Sequence, residues 1–128
     1  MDQDVFLQQL AKAGVNTEQA IGRFMGNTAL FLRFVQRLPE ALRFAEIRQA
    51  LDAQDDEKFY MLVHTLKGTA ANLAAEDLAE CAQAILVEYR TSGFKHMHKL
   101  NSLLRETELE SERLSKVLRT LDGTAENG

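Results

Sequence analysis

The sequence predicts an all-α fold, and composition, periodicity and chain length each favour it. The 128 residues include seven Gly and a single Pro, a composition that favours helices over the turn-rich strands of a sandwich or barrel. Apolar residues recur at spacings of three and four, the period of a helix. A chain of this length suits one hydrophobic core. We expect an up-down-up-down antiparallel four-helix bundle with additional short N-terminal helices, in one domain over residues 1–122.

Two short helices are predicted within residues 2–26, ahead of the bundle. Apolar residues at helical spacing precede Gly14, and glycine is typical of the position just past a helix C-terminus. Asn16 begins a sequence that resembles a capping box, and Gly26 interrupts the apolar pattern after about three turns. The second helix is therefore expected to end near Gly26.

The first bundle helix is predicted at about 28–53. Asn27 is a suitable N-cap, and the apolar stripe that follows continues across Pro39. A proline inside a helix removes one backbone hydrogen bond, so either a kink or a break is expected near residue 36. Because the stripe is continuous, we expect a kink.

Three further helices complete the predicted bundle, at about 56–73, 75–92 and 94–121. Their short connections imply antiparallel neighbours. At about 1.5 Å per residue, the last helix is long enough to overhang the bundle or to pack on the N-terminal helices. Its apolar stripe is more simply explained as core than as a dimerising coiled coil, and residues 123–128 are expected to form a frayed tail.

Charge and hydropathy argue against several classes of function. The net charge is −4 with acidic and basic residues mixed, so the chain offers no basic stripe for a nucleic-acid backbone. No apolar run approaches the roughly 20 residues that span a bilayer, and the N-terminus is too acidic for a secretory signal. The single cysteine, Cys81, is interpreted as a buried structural thiol. We expect a cytoplasmic protein that binds neither nucleic acid nor membranes.

The helix predicted over 56–73 presents a histidine on the side opposite its apolar face. With successive residues about 100° apart, His64 points about 150° away from the centre of the apolar arc, and Gly68 lies almost opposite that centre. The apolar arc comprises Phe59, Leu62, Val63, Leu66, Ala70 and Leu73. His64 is therefore expected to be exposed.

His64, Lys67 and Gly68 together suit a phosphoryl carrier. An imidazole has an ordinary pKa of about 6.5, so much of an exposed histidine is neutral at neutral pH and can attack phosphorus. Lys67, three residues on, brings a positive charge that can offset the charge of a phosphoryl group. Gly68 costs about 1 kcal/mol relative to Ala inside a helix, but it leaves space for a partner to reach the ring.

The chain is not expected to be an enzyme on its own. The sequence contains no Gly-rich nucleotide loop, and no buried acid is evident that could orient the imidazole. The remaining catalytic machinery therefore has to come from a partner.

The segment His64-Thr65-Leu66-Lys67-Gly68 resembles the signature of the histidine-containing phosphotransfer (Hpt) family of two-component phosphorelays, in which a phosphorylatable histidine is followed by an apolar residue, Lys and Gly. The similarity extends over roughly residues 13–90. It includes Gly14-Val15-Asn16, the helix containing Pro39, and Asp55-Asp56 before the histidine helix.

The resemblance implies a role for each residue of the motif. His64 would accept a phosphoryl group from the aspartyl phosphate of one receiver domain and pass it to another. Lys67 would steady the group, and Gly68 would admit the receiver. The implied partners are response-regulator receiver domains, with a hybrid sensor histidine kinase as a further candidate. The receiver would supply the aspartate and Mg²⁺, and this chain would hold no metal or other cofactor.

Two positions depart from the family pattern. Ala74 stands where glycine is common after the last apolar residue of the motif, which puts the helix junction in question. Leu86 stands where many members have a polar residue near the histidine, so a hydrogen bond from this position is not expected.

Other candidate residues have weaker support. Tyr60, Met61 and Ala71 flank His64 and either form the rim of a docking patch or are ordinary surface residues. His96 and His98 point about 200° apart on a helix and so cannot share a metal.

Two alternative functions stay open. The chain could be a non-phosphorylated helical interaction module, although the intact motif argues against this. It could also be a terminal phosphotransfer domain cut from a sensor kinase, although one domain that uses nearly the whole chain favours a stand-alone protein.

Overall fold

The computed structural model describes the backbone of residues 2–127 and the side chains of residues 2–120. Within this part the chain is all-helical, without strands, and Val15 and Ala75 form an isolated β-bridge. The helices are α1 Gln3–Lys12, α2 Thr17–Arg23, α3 Thr28–Gln36, α4 Leu38–Ala41, α5 Phe44–Asp52, α6 Asp56–Asn72, α7 Glu76–Ser92 and α8 Met97–Asn127. The predicted all-α fold is confirmed.

Asparagine side chains cap the N-termini of α2 and α3, as the sequence predicted. The Asn16 side chain accepts a hydrogen bond from the backbone N–H of Gln19, and the Asn27 side chain accepts one from that of Leu30. Each bond satisfies one of the free N–H groups in the first turn of a helix. The N-terminal helices therefore begin at defined residues.

The predicted kinked helix over 28–53 is wrong, because this segment breaks into α3, α4 and α5. Pro39 lies in the first turn of α4, where its missing N–H costs no helical hydrogen bond. Arg43 then adopts a left-handed conformation, with φ +56°, and reverses the backbone before α5. The apolar stripe still faces the core across both breaks, through Phe31, Val35, Leu38, Leu42, Ile47 and Leu51.

Four helix ends share one hydrogen-bonded motif. After α6, the N–H of Ala75 bonds to the carbonyl of Ala70 and that of Ala74 bonds to Ala71, the Schellman pattern. This pattern needs a left-handed residue just past the helix. The left-handed residues after α1, α2, α5 and α6 are Gly14, Met25, Gln54 and Ala74. Three of the four ends therefore form without glycine at the strained position.

The last helix begins later and ends later than predicted. α8 starts at Met97 instead of 94 and continues through Asn127, past the point where the tail at 123–128 was expected. Gly123 does not end the helix, since glycine weakens a helix without forbidding it. Gly128 lies outside the described residues.

Helix α6 packs between α5 and α7, α7 packs on α8, and α8 packs on α1. The contact between α8 and α1 confirms one of the two placements expected for the long helix. Arg48 also links α5 to α8, because it donates to Asn101 at 3.1 Å and to Glu108 at 2.7 Å. Across the described residues, no helix has the length and apolar character needed to cross a membrane.

The loop between α1 and α2 is attached to the junction between α6 and α7. The N–H of Asn16 donates to the carbonyl of Ala74 at 2.7 Å, and the N–H of Asp77 donates to the carbonyl of Gly14 at 3.2 Å. A Cβ atom on Gly14 would lie 2.5 Å from the Asp77 side chain, and the φ of Gly14 is +93°. Close approach and conformation therefore both require glycine here.

Candidate functional site

The outward side of α6 carries the predicted site. All six residues of the predicted apolar arc are buried, namely Phe59, Leu62, Val63, Leu66, Ala70 and Leu73. His64 and Gly68 are exposed on the opposite side. Because the arc faces the core, the predicted exposure of His64 is confirmed.

The His64 ring is stacked on an aromatic neighbour one turn earlier. The centroids of the Tyr60 and His64 rings are 5.7 Å apart and their planes differ by 8°, an offset parallel stack. Arg90 of α7 donates to the Tyr60 hydroxyl at 3.0 Å, and its guanidinium carbon lies 5.5 Å from the Tyr60 ring centre. Residues on two helices therefore define the surroundings of His64.

Lys67 lies one turn after His64 and is half-buried. Among the described residues its ammonium has no ion pair or hydrogen bond, although acidic side chains are common elsewhere on the surface. An unpaired ammonium is available to an incoming anion without first breaking an internal contact.

Gly68 leaves open space beside the histidine. A Cβ atom built on this residue would have no heavy atom within 4 Å, apart from its chain neighbours and the local helix backbone. The bundle itself therefore gives no packing reason for glycine at this position.

The remaining rim residues are exposed as well. The exposed fractions of Tyr60 and Met61 are 37% and 49%, and Ala71 is also exposed. The carbonyl of Ala71 accepts a hydrogen bond from the Arg23 guanidinium of α2. The structure thus brings all the predicted site residues to one face of α6, with the basic side chain of Arg23 at its C-terminal end.

The facing surface of α7 was not predicted. Tyr60 contacts Arg90, while Ala71 and Ala79 line one surface depression. The Oε1 atom of Gln83, also on α7, is buried without a hydrogen-bond partner in the described part of the chain. The register across the short junction between α6 and α7 was the signal in the sequence that could have identified this surface.

Leu86 is completely buried in α7, so it does not reach the surface beside His64. A leucine side chain has no donor or acceptor, so this position supplies no side-chain hydrogen bond to the site.

A second hydrogen bond fixes the N-terminal end of α6 to α7. The Tyr89 hydroxyl donates to Asp56 at 2.5 Å. This hydrogen bond, helped by burial and by the negative charge of Asp56, raises the pKa of Tyr89 to about 12.

Cysteine and the other histidines lie away from this site. Cys81 is half-buried, whereas a buried thiol was predicted. Its partial burial, and to a lesser extent the negative charges of nearby acids, raise the pKa of the thiol. His96 and His98 are exposed near the start of α8. Among the described side chains, no cluster of three or more His, Cys, Asp or Glu residues could hold a metal ion.

The site offers a nucleophile, a free positive charge and open access. No carboxylate or second histidine hydrogen-bonds to the His64 ring in the described residues.

Comparison with curated proteins and with solved structures found no significant match. The family model for the Hpt domain matches residues 29–121 of the 128-residue chain. The match includes most of α8, which the sequence resemblance did not cover, and it excludes Gly14-Val15-Asn16. Hpt domains are phosphocarrier modules that interact with receiver domains in phosphorelays. The chain, with its exposed histidine on an outward helix face, belongs to the Hpt domain family.

Proposed function

We propose that this protein accepts a phosphoryl group on His64 from the aspartyl phosphate of one receiver domain and passes it to a second receiver. The observation that carries the proposal is the open, exposed position of His64 beside Gly68 in a chain of the Hpt family. In this proposal the segment α3–α5 and the helices α6, α7 and α8 form the up-down-up-down bundle that presents the histidine.

The transfer exchanges one bond to phosphorus for another. The unprotonated nitrogen of the neutral imidazole attacks phosphorus as the bond to the aspartyl oxygen breaks, and the carboxylate leaves with the electron pair. The other ring nitrogen keeps its proton. Charge accumulates on the phosphoryl oxygens during transfer, and the ammonium of Lys67 offsets part of it. Mg²⁺ held by the receiver supplies further positive charge.

Docking in this proposal uses the surface around the histidine. Tyr60, Met61 and Ala71 contribute exposed apolar area, and Gly68 lets the receiver approach the ring. The same surface would serve a receiver domain attached to a hybrid sensor kinase, because such a domain presents the same aspartate.

The proposal is tested with radiolabelled phospho-receiver domains from the same organism. The parent chain should take up acid-labile label, and His64→Gln should take up none. The melting temperature of the variant should change little, since an exposed side chain usually contributes under about 0.5 kcal/mol.

The double variant His96→Gln/His98→Gln is the matched control and should label like the parent. Labelling of His64→Gln at the parental level would contradict the assignment. A parent chain that binds receivers but never takes up label would instead be a non-phosphorylated interaction module.

A further inference from the structure

We propose that Tyr60 is a positioning residue for His64 and that Arg90 holds Tyr60 in place. The inference rests on the proposed function of His64 as the phosphoryl acceptor. It assigns Tyr60 a role in transfer that is distinct from contributing area to a docking rim.

The stack of Tyr60 on His64 is a contact that can orient the imidazole ring. Among the described residues, no side chain or backbone group hydrogen-bonds to the His64 imidazole. An exposed ring without hydrogen bonds exchanges between rotamers. The parallel Tyr60 ring, with its centroid 5.7 Å away, favours the rotamer in which the two faces meet. A stacked aromatic pair gives a bias of about two- to tenfold in population.

Tyr60 can impose this orientation because it is itself held from another helix. The Arg90 guanidinium donates to the Tyr60 hydroxyl at 3.0 Å and also lies 5.5 Å from the ring centre. Both contacts come from α7, so the Tyr60 ring is tied to a helix other than its own. Its orientation is therefore fixed relative to the body of the domain.

The stack leaves the reacting atoms uncovered. The lone pair of an imidazole nitrogen lies in the plane of the ring, so phosphorus approaches along the ring edge. Tyr60 covers a face of the imidazole, which takes no part in bond formation. The arrangement therefore orients the nucleophile without blocking it, which is the condition for a gain from preorganisation.

The test uses Tyr60→Leu and Tyr60→Phe in the full chain, with Tyr89→Phe as the matched control. Tyr89→Phe also removes a tyrosine hydroxyl at the interface between α6 and α7, but Tyr89 does not contact the His64 ring. Two quantities are measured: the NMR shifts of the His64 ring protons, and the rate of transfer from labelled phospho-receiver over a range of receiver concentrations.

Tyr60→Leu should move the His64 ring-proton shifts and lower the transfer rate at saturating receiver by about two- to tenfold. Tyr60→Phe keeps the ring but loses the hydrogen bond to Arg90, and its rate should fall between those of the parent and Tyr60→Leu. Tyr89→Phe should match the parent in both measurements.

Three results would overturn the inference. Unchanged ring-proton shifts in Tyr60→Leu would show that the two rings are not stacked in solution, so that Tyr60 could not orient the imidazole. A parental rate at saturation, with only a higher half-saturating receiver concentration, would make Tyr60 a docking residue. A parent chain that takes up no label would refute the proposed function as well. If the parent is labelled but Tyr60→Leu behaves like the parent, only this inference is refuted.

Discussion

At the scale of single residues, α6 places a restrained side chain and an unpaired side chain near the His64 ring. Tyr60 is held by Arg90, whereas the Lys67 ammonium has no partner among the described residues. A fixed neighbour can orient the histidine, and a free cation can follow charge as it moves from donor to acceptor. The two side chains are therefore expected to affect transfer in different ways.

Lys67→Ala should slow transfer about tenfold at saturating receiver, because the ammonium offsets charge that develops on the phosphoryl oxygens in an exposed, partly screened site. Binding of unphosphorylated receiver should change less. Single-turnover transfer rates and a binding titration separate the two effects. Lys58→Ala, which removes another lysine of α6, is the control. A loss of receiver affinity with an unchanged transfer rate would make Lys67 a docking residue.

Substitutions at Gly68 should affect the stability of the fold and the rate of transfer differently. Gly68→Ala should raise the melting temperature by about 2–5 °C, because alanine gains roughly 0.5–1 kcal/mol in an exposed helix interior and its Cβ meets no neighbour. Gly68→Gln should also fold, yet its side chain would fill the approach to His64 and sharply reduce transfer. Thermal melts and transfer rates of both variants provide the comparison. Unfolding of both would mean that the domain itself requires glycine here.

At the scale of helices, the chain ends three of them with left-handed residues that carry side chains. Met25, Gln54 and Ala74 all take positive φ values at Schellman positions. A left-handed conformation costs a residue with a Cβ roughly 1–2 kcal/mol. The hydrogen bonds of the motif and the packing of the next helix compensate for this strain.

Met25→Gly and Ala74→Gly should differ in their effect on stability. Met25 is 95% exposed, so glycine relieves strain with little loss of contact and should stabilise the fold by about 1 kcal/mol. Ala74 is 1% exposed, and losing its buried methyl group, worth about 0.8 kcal/mol, should cancel most of the gain. Urea denaturation of the two variants measures the difference. Equal stabilisation by both would show that the Ala74 methyl group contributes nothing to packing.

The helix period and the side-chain caps could be predicted from the sequence, whereas the left-handed helix ends at Met25 and Ala74 could not. The direction of His64 follows from the periodicity of its own helix, and Asn16 and Asn27 cap by local hydrogen bonds. Met25 and Ala74 are left-handed although neither residue type prefers that conformation, and the hydrogen bond that the Ala74 carbonyl accepts from Asn16 comes from another part of the chain. At Pro39 a kink was preferred to the break that the structure shows, because the apolar stripe stays continuous through the break.

The residues of the candidate site also divide into those that the sequence predicts and those that it does not. His64, Lys67 and Gly68 share a helix, so spacing alone places them together. Arg90 reaches the site from α7, and its position depends on the register between two helices. A pattern within one helix cannot supply that register.

At the scale of the whole molecule, residues outside the region matched by the family model support the histidine helix. Gly14 and Asn16 bond to the junction that follows α6, and Arg23 donates to a carbonyl near the C-terminal end of α6. The match begins at residue 29. The N-terminal helices therefore hold one end of α6 in place.

Gly14→Ala should destabilise the domain by about 1–3 kcal/mol, because the new Cβ would meet Asp77 at 2.5 Å and φ is +93°. Gly22→Ala is the matched control, since Gly22 lies inside α2 with no atom within 4 Å of its Cβ position. The control should stabilise slightly. Denaturant unfolding checks both, and a stable Gly14→Ala variant would mean that the attachment of this loop to the α6–α7 junction is not needed.

The open space at Gly68 also affects how a phosphoryl group would be distributed among several receivers. A histidine on an open surface has no walls that select among phosphoryl donors by shape, and the chemistry of an aspartyl phosphate is the same in every receiver. If His64 is the carrier, selectivity among regulators comes from the docked surfaces and from the concentrations of the competing receivers. The chain would then act as a reversible junction, and its occupancy would report the balance between loaded and unloaded receivers.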